Sequence, residues 1–469
     1  MFTAEVIEEI IYKGETFVTI QPPQSISPHL AGKLLVKRNW PFEESLLEEG
    51  LQADWLSEQS AITNKWHSSI CHRCGTKKRS HFYKWPCPNC GEKCVYCRSC
   101  VKLGRLSSCD KLLTYHGAVL QWKHHQKPCM WEGKLTRAQQ QAADAIVNAV
   151  RTQSSILVWA VCGAGKTEML FPGIAEAIQT GKRVCLATPR ADVVRELLPR
   201  LRLAFPHVDI VGRYGGSEER DEGAQFVVAT THQLFHYRSA FDVMIIDEVD
   251  AFPYHADPSL PRVTSLSKQP SCATIYLTAT PREDLKQASQ RKNLPTVFVP
   301  IRFHGHPLPV PTCTYIGRLS NKLQQYRIPN PIKEWIEQKQ ANERRILLFA
   351  PTVTTATHVA NELSVPYVHA EHDQRKEVVQ QFRNREVRMI VTTTILERGV
   401  TFPSIDVAVL DAGHRVFDEA ALVQIAGRAG RSADDPSGNV VFFHDGFSLA
   451  MDRSIRSIRA MNKKAATFR

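Results

Sequence analysis

The sequence predicts an α/β protein of two tandem domains, each built on a parallel sheet and preceded by a small cysteine-rich module. Three observations predict it. From Leu135 onward, short apolar runs alternate with amphipathic stretches, the texture of β–α–β units. That texture is interrupted once, by the Pro- and His-rich stretch PIRFHGHPLPVP at 300–311, and then resumes. Upstream, eight of the thirteen cysteines fall between Cys71 and Cys109.

Composition bounds the answer. A chain of 469 residues holds two to four domains at roughly 100–200 residues each. With 43% hydrophobic and 23% charged residues, a wholly disordered or fibrous chain is excluded. The net charge of +12 favours polyanionic partners through counterion release and says nothing about fold. No apolar run reaches the roughly 18 residues of a membrane span. The start, MFTAEVIEEIIYKGE, is acidic and has no basic stretch leading into an apolar one, so no secretory signal is expected. The expected compartment is the cytosol, where thiols stay reduced and a dense cysteine cluster argues for metal rather than disulfides.

The expected organisation follows in order. Residues 1–65 form an amino-terminal appendage with an acidic stretch from Glu43 to Glu49, 66–112 a metal-binding module, and 113–134 a connector carrying Lys123, His124 and His125. Residues 135–299 are the first α/β domain, 300–311 a linker and 312–469 the second domain. Buried strands are expected at 154–161, 182–189, 225–231, 241–248 and 273–280, then at 344–352, 387–394, 405–412 and 439–444.

The run AVCGAGKT at 160–167 directly follows a strand candidate and precedes the helical stretch EMLFPGIAEAI. A P-loop requires that context. Cys162, Gly163, Ala164 and Gly165 would offer main-chain N–H groups to phosphates, the glycines because no Cβ intervenes. Lys166 would meet the β- and γ-phosphates of ATP, Thr167 would ligate Mg²⁺, and the helix opening through Glu168 would add its positive end. Ala160 stands where the motif usually has its first glycine.

DEVD at 247–250 closes the strand VMIID, about 80 residues further on. Asp247 would hold the metal through water, and Glu248 would polarise the attacking water. Phosphoryl transfer also needs cations for the developing charge. QIAGRAGR at 424–431 supplies Arg428 and Arg431 at a spacing that places both on one face if the segment is helical. They belong to the second domain, so they would reach the nucleotide only on closure. Gln139 could read an adenine edge through its amide.

LTRAQ, AVCGAGKTE, TPR (188–190), TTHQL (230–234), DEVD, TAT (278–280), FAPT (349–352), TTTILERGVTF (392–402) and QIAGRAGR occur in that order. This ordered set resembles helicase superfamily 2 across about 135–469, which implies two tandem RecA-like parallel-sheet domains preceded by a small cysteine-rich zinc module. Within that superfamily, TTHQL, DEVDAFPY (247–254), RFHGHPL (302–308), TTTILERGVTFP, FFHDG (442–446) and the cysteine module resemble the ComFA family of late-competence proteins. The resemblance implies an ATP-driven translocase on single-stranded DNA that helps import transforming DNA into a bacterial cytosol. It also implies work at the inner face of the cell membrane beside the channel ComEC and the small protein ComFC. By the same resemblance TPR, TTHQL and TTTILERG track the nucleic-acid backbone through Arg190, Thr231, Thr393 and Arg398. Thr278 and Thr280 would couple that face to the nucleotide site, with Glu397 and Gly399 at the cleft.

The eight thiols suffice for two tetrahedral Zn²⁺ sites. A local ribbon would use Cys71, Cys74, Cys87 and Cys90; a crossed arrangement would use Cys71, Cys74, Cys97 and Cys100, leaving Cys87, Cys90, Cys94 and Cys109 for a second ion. The resemblance favours the crossed one. Between 71 and 111 stand ten Lys or Arg against two acidic residues, with Phe82, Tyr83, Trp85 and Tyr96 interleaved. Such a surface suits single-stranded nucleic acid, and also fits a solvated rim around a metal core. Three other activities fit the same motifs: a duplex-unwinding helicase of the PriA kind, a nucleotide-switched DNA-binding adaptor with little turnover, and a motor on RNA.

Overall fold

The structure is a computed structural model describing residues 9–12, 15–18, 22–23, 25–65, 68–117, 120–399 and 402–468. Residues 1–8 of the acidic start, Trp66 and His67 at the head of the cysteine module, and Val400 and Thr401 of TTTILERGVTF lie outside the described residues. Two compact units are present: Met1–Glu132 with Ile146–Ser155 and Phe171–Tyr276, and Gly133–Ala145 with Ile156–Leu170 and Leu277–Arg469.

Each of the nine expected strands forms. The first sheet has seven strands in the order Ile210–Arg213, Phe226–Thr230, Val184–Thr188, Phe241–Asp247, Lys268–Thr278, Ser155–Ala160, Thr296–Val299. The second has six: Thr312–Tyr315, Val440–His444, Ile405–Val409, Arg345–Phe349, Met389–Thr392, Tyr367–Val368. Pairing is parallel wherever registered, for example Val184↔Phe226 and Val184↔Val243 in the first sheet and Ile346↔Met389 in the second. Val184–Thr188, Phe226–Thr230, Arg345–Phe349 and Ile405–Val409 are buried at every position, as strands covered on both faces must be. Under the second sheet, Leu348, Val391, Ala408 and Phe443 pack with Leu319, Ile332 and Ile336. Each such large aliphatic side chain removed from water contributes about 1.5–3 kcal/mol.

In these two sheets, four strands escaped the sequence reading: Ile210–Arg213, Thr296–Val299, Thr312–Tyr315 and Tyr367–Val368. All four are sheet edges. An edge strand has one neighbour and partial cover, so it needs no continuous apolar run.

The amino-terminal region has its own antiparallel sheet, in which Lys111–Tyr115 lies between Leu34–Val36 and Leu56–Ser60. Its core is Leu30, Leu47, Trp55, Leu56 and Leu113. Residues on both sides of position 65 thus share one sheet, and the cysteines form an excursion from it. The excursion holds two hairpins, Ile62–Lys65 with Ser68–Cys71 and Phe82–Pro86 with Lys93–Cys97.

Arg183 fastens this region to the rest of its unit. It is 1% exposed and donates to the carbonyls of Ala224 (3.0 Å) and Ala31 (3.2 Å) and to Asp221 Oδ2 (2.9 Å). Its guanidinium also lies 4.8 Å from the Trp122 ring and 5.2 Å from that of Phe241. Asp221 accepts in addition from the Tyr237 hydroxyl and from the N–H groups of Gly223 and Ala224. Burial opposes its ionisation, but Arg183 and Lys33 overcome that and hold the carboxyl below its usual range.

Candidate functional site

Strand Ser155–Ala160 delivers the phosphate loop and helix Lys166–Gln179 leaves it. Gly163 and Gly165 take φ of +78° and +70°, the left-handed region in which a Cβ is strained. Such turns expose successive main-chain N–H groups to an anion. Lys166 and Thr167 open the helix and Glu168 is in its first turn, so the positive helix end meets the loop. Ala160 is fully buried in its strand. Gln139 braces the loop: its Nε2 donates to Ala164 O (2.9 Å) and Gly165 O (3.4 Å), and its Oε1 accepts from Thr136 N (2.8 Å). Its amide therefore holds loop main chain here rather than lying open to a base.

The arginine segment adjoins this loop. The Cys162 thiol donates to Gln424 Oε1 at 3.0 Å. A Cβ on Gly427 would fall 2.3 Å from Cys162 Cβ, so only glycine permits the approach. The one-face expectation for Arg428 and Arg431 needs correcting. Helix Glu419–Ala426 stops at Gly427, and Gly430 takes φ of +62°, so Arg428 lies in the turn that follows and Arg431 just past it. Arg428 is 2% exposed and donates from Nε (2.8 Å) and Nη2 (2.6 Å) to Glu397 O; Arg431 Nε donates to Gly427 O at 2.9 Å.

Arg302, from the stretch read as linker, organises the same place. It is 1% exposed and donates to Ala429 O (2.9 Å), Pro436 O (2.9 Å), Pro307 O (2.7 Å), His306 O (3.2 Å) and Gly430 O. Phe303 N donates to Gly163 O at 2.9 Å. Burial, with Arg431 nearby, lowers the Arg302 pKa to about 10. Sequence reasoning missed it because one Arg among prolines and histidines has no periodicity; RFHGHPL was the only signal.

In the other unit, Asp247 ends strand Phe241–Asp247, and its Oδ1 accepts from Glu248 N at 2.9 Å. Glu248 takes φ of +53°. For a non-glycine residue that costs about 1–2 kcal/mol and fixes where the carboxylate leaves the strand. Arg190 precedes helix Ala191–Ala204 and grips Asp192 at 3.0 and 2.5 Å. Thr231 is fully buried at the start of the turn Thr231–His236. In the unit with the phosphate loop, Thr280 N donates to Thr278 Oγ1 at 3.0 Å, and both threonines are buried. Thr393 precedes the turn Thr394–Leu396, Arg398 is 2% exposed with Nε 3.4 Å from Glu397 Oε1, and Gly399 takes φ of +71°. Thr231 and Arg398 thus offer little open surface.

The structure gathers the thiols in the crossed arrangement. Cys71, Cys74, Cys97 and Cys100 form one cluster and Cys87, Cys90, Cys94 and Cys109 the other, each with its sulfurs within 4.8 Å of one another. Cys71–Cys100, Cys74–Cys97 and Cys87–Cys109 are 3.7 Å apart. Four sulfurs tetrahedral about an ion with ~2.3 Å bonds would sit about 3.8 Å apart, so both donor sets fit. In the first cluster, contact with Cys100 holds the Cys71 thiol far below its ordinary range and pushes Cys74 up, and contact with Cys71 pushes Cys100 up. Four thiols so placed cannot all ionise without a cation. That cluster is braced: Arg73 Nη2 donates to Cys100 O (3.0 Å) and Gly104 O (2.7 Å), and Arg238 donates to His72 O.

Two parallel sheets, a phosphate loop and a strand-end DEVD define an ATPase of helicase superfamily 2. Family profiles match it as the type III restriction enzyme res subunit at 132–283 and the helicase conserved C-terminal domain at 328–433. The chain belongs to the ComFA family of competence proteins. It is 40% identical over 443 residues to competence protein ComFA of Bacillus subtilis (strain 168), covering 93% of this chain and 95% of that one. It is 37% identical over 431 residues to that of Streptococcus pneumoniae (strain ATCC BAA-255 / R6), covering 90% and 96%. The competence protein ComFA N-terminal domain profile matches residues 20–114, which span the three-stranded sheet and both thiol clusters. Among solved structures, S. cerevisiae Dbp5 bound to RNA and ADP BeF3 shares the fold, with a TM-score of 0.53 at 15% identity, over 70% of this chain and 88% of that one. Among the described residues, no helix is long and apolar enough to cross a membrane.

Proposed function

We propose that this chain is an ATP-driven translocase of single-stranded DNA that pulls transforming DNA into the competent cell. It would work in the cytoplasm at the inner face of the membrane, beside the channel ComEC and with ComFC. The observation that carries the reading is the junction in one unit between the phosphate loop and the arginine segment, where Cys162 meets Gln424 and Gly427. A triphosphate in the loop is then within the arginines' neighbourhood.

In this reading the loop N–H groups and Lys166 hold the phosphates, and Thr167 and Asp247 hold Mg²⁺, which offsets the phosphate charge. Glu248 takes the proton of the attacking water, and Arg428 and Arg431 stabilise the charge that develops. Arg190 and Thr393 follow the DNA backbone, with the buried Thr231 and Arg398 positioning their segments from beneath, and hydrolysis drives release and regrip. The two thiol clusters hold one Zn²⁺ each and fix the fold of a module too small to have its own core.

The test is ATP turnover measured with single-stranded DNA, duplex DNA and RNA in parallel. Single-stranded DNA should stimulate most, and Lys166→Ala should lower turnover by at least about a hundredfold while DNA binding persists. Equal stimulation by RNA, or unimpaired turnover in Lys166→Ala, would overturn the reading. Strand displacement from a tailed duplex separates unwinding from translocation.

A further inference from the structure

We propose that one face of the hairpin Phe82–Pro86/Lys93–Cys97 is a second binding site for single-stranded DNA, a stacking platform apart from the motor's own tracking segments. The inference rests on the single-stranded DNA reading above and extends it to the metal module.

The register decides which side chains share a face. Tyr83 pairs with Tyr96 and Trp85 with Cys94, so Tyr83, Trp85 and Tyr96 project from the same side of the hairpin. Tyr96 lies edge-on between the other two, with ring centroids 5.9 Å from Tyr83 and 6.0 Å from Trp85 at interplanar angles of 64° and 79°. The Arg105 guanidinium stands 3.8 Å above the Trp85 ring. A packed core would hide this group. Instead Tyr83 is 59% exposed and Trp85 and Tyr96 are half-buried; Arg105 is exposed over the rings, Arg98 and Lys102 are exposed in the same module, and Lys84 and Lys93 project from the hairpin's other face.

Charge and rigidity choose the ligand. The stretch 71–111 carries ten cationic residues against two acidic ones, a net +8 of the chain's +12. A polyanion is therefore the complementary partner. An exposed ring flanked by cations binds unpaired bases by stacking while their phosphates meet Lys and Arg; bases inside a duplex are already stacked and offer no free face. Cys94 and Cys97 sit within one strand of the hairpin and Cys87 and Cys90 at its turn, so the thiol clusters hold the platform in place before DNA arrives.

The test uses the full chain with zinc bound. Oligothymidylate carrying 5-iodouracil is photocrosslinked and the attachment sites are mapped. In parallel, its affinity is measured for the unsubstituted chain, Tyr83→Ala, Tyr83→Trp and Arg105→Glu, with zinc content as the check on folding. Crosslinks are expected at Tyr83 or Trp85. Tyr83→Ala should weaken binding by roughly tenfold, Tyr83→Trp should retain it, and Arg105→Glu should flatten the dependence of affinity on salt. Crosslinks confined to the motor segments, with Tyr83→Ala binding normally, would overturn the platform and leave the translocase reading standing. Crosslinks at the platform in a chain whose ATPase ignores single-stranded DNA would do the reverse. If Tyr83→Ala loses binding to duplex DNA or to anionic phosphatidylglycerol vesicles in place of the oligomer, the proposed ligand is wrong.

Discussion

Two arginines, each 1% exposed, sit in the two units and are held in opposite ways. Arg183 has a carboxylate, Asp221, at 2.9 Å, and three aromatic rings around its guanidinium. Arg302 has five main-chain carbonyls and, among the described residues, no carboxylate within ion-pair distance. Carbonyl dipoles satisfy its N–H groups but leave its charge uncancelled, which is why burial lowers its pKa. The difference separates a neutralised fastening from a buried cation left without a counter-charge. Arg183 is neutralised where it stands, deep in structure. Arg302 is left positive beside a loop built for phosphate, where ATP would supply the missing counter-charge.

The comparison can be broken most forcefully at Arg183. Arg183→Ala leaves Asp221 buried with a weaker partner, Lys33, whose pKa burial itself lowers to about 8. It should cost about 3–5 kcal/mol, read as a fall in the urea midpoint of its unit. If the double substitution Arg183→Met with Asp221→Leu restores much of that loss, the ion pair is a fastening and nothing more.

His236 shows the same physics in a group that titrates within reach. Burial first, then Arg73 and Arg213, lower its pKa from 6.5 to about 4. The unfolded chain therefore takes up a proton before the folded one does as pH falls. Stability should drop by about 3 kcal/mol between pH 6.5 and about 4, and be level with respect to this group below that. Denaturation midpoints across this window check it, because His236→Gln should flatten the slope.

Arg302→Ala should have the smallest effect on the unliganded chain, about 1–2 kcal/mol, because removing the guanidinium also removes its unfavourable burial. Its effect should appear with nucleotide. The rise in melting temperature produced by a non-hydrolysable ATP analogue should be smaller in the variant, and turnover should fall about tenfold. Arg302→Lys should not rescue, since one ammonium cannot reach five carbonyls. A full nucleotide-induced shift in Arg302→Ala would erase the distinction from Arg183.

What the sequence disclosed follows the same line between interior and margin. Val184–Thr188 and Ile405–Val409 were legible because burial on both faces demands an unbroken apolar run. Thr312–Tyr315, exposed at three of four positions, has no such demand and was missed. The phosphate loop was legible because phosphate binding needs glycines at Gly163 and Gly165 whatever surrounds them. The crossed thiol pairing was not legible from spacing, since local and crossed clusters use the same CxxC turns. The role of Arg302 was hidden for a different reason, RFHGHPL aside: its partners are main-chain carbonyls, which leave no trace in side-chain identity.

The threading of the amino-terminal sheet has a consequence for how the chain is made. Leu34–Val36 and Leu56–Ser60 leave the ribosome first, but the strand that joins them, Lys111–Tyr115, emerges some fifty residues later. Until then their inner edges lack partners. Gathering the eight sulfurs would shorten the tether that Lys111 must close, so the thiol clusters and the closing of the sheet are coupled through the length of that loop.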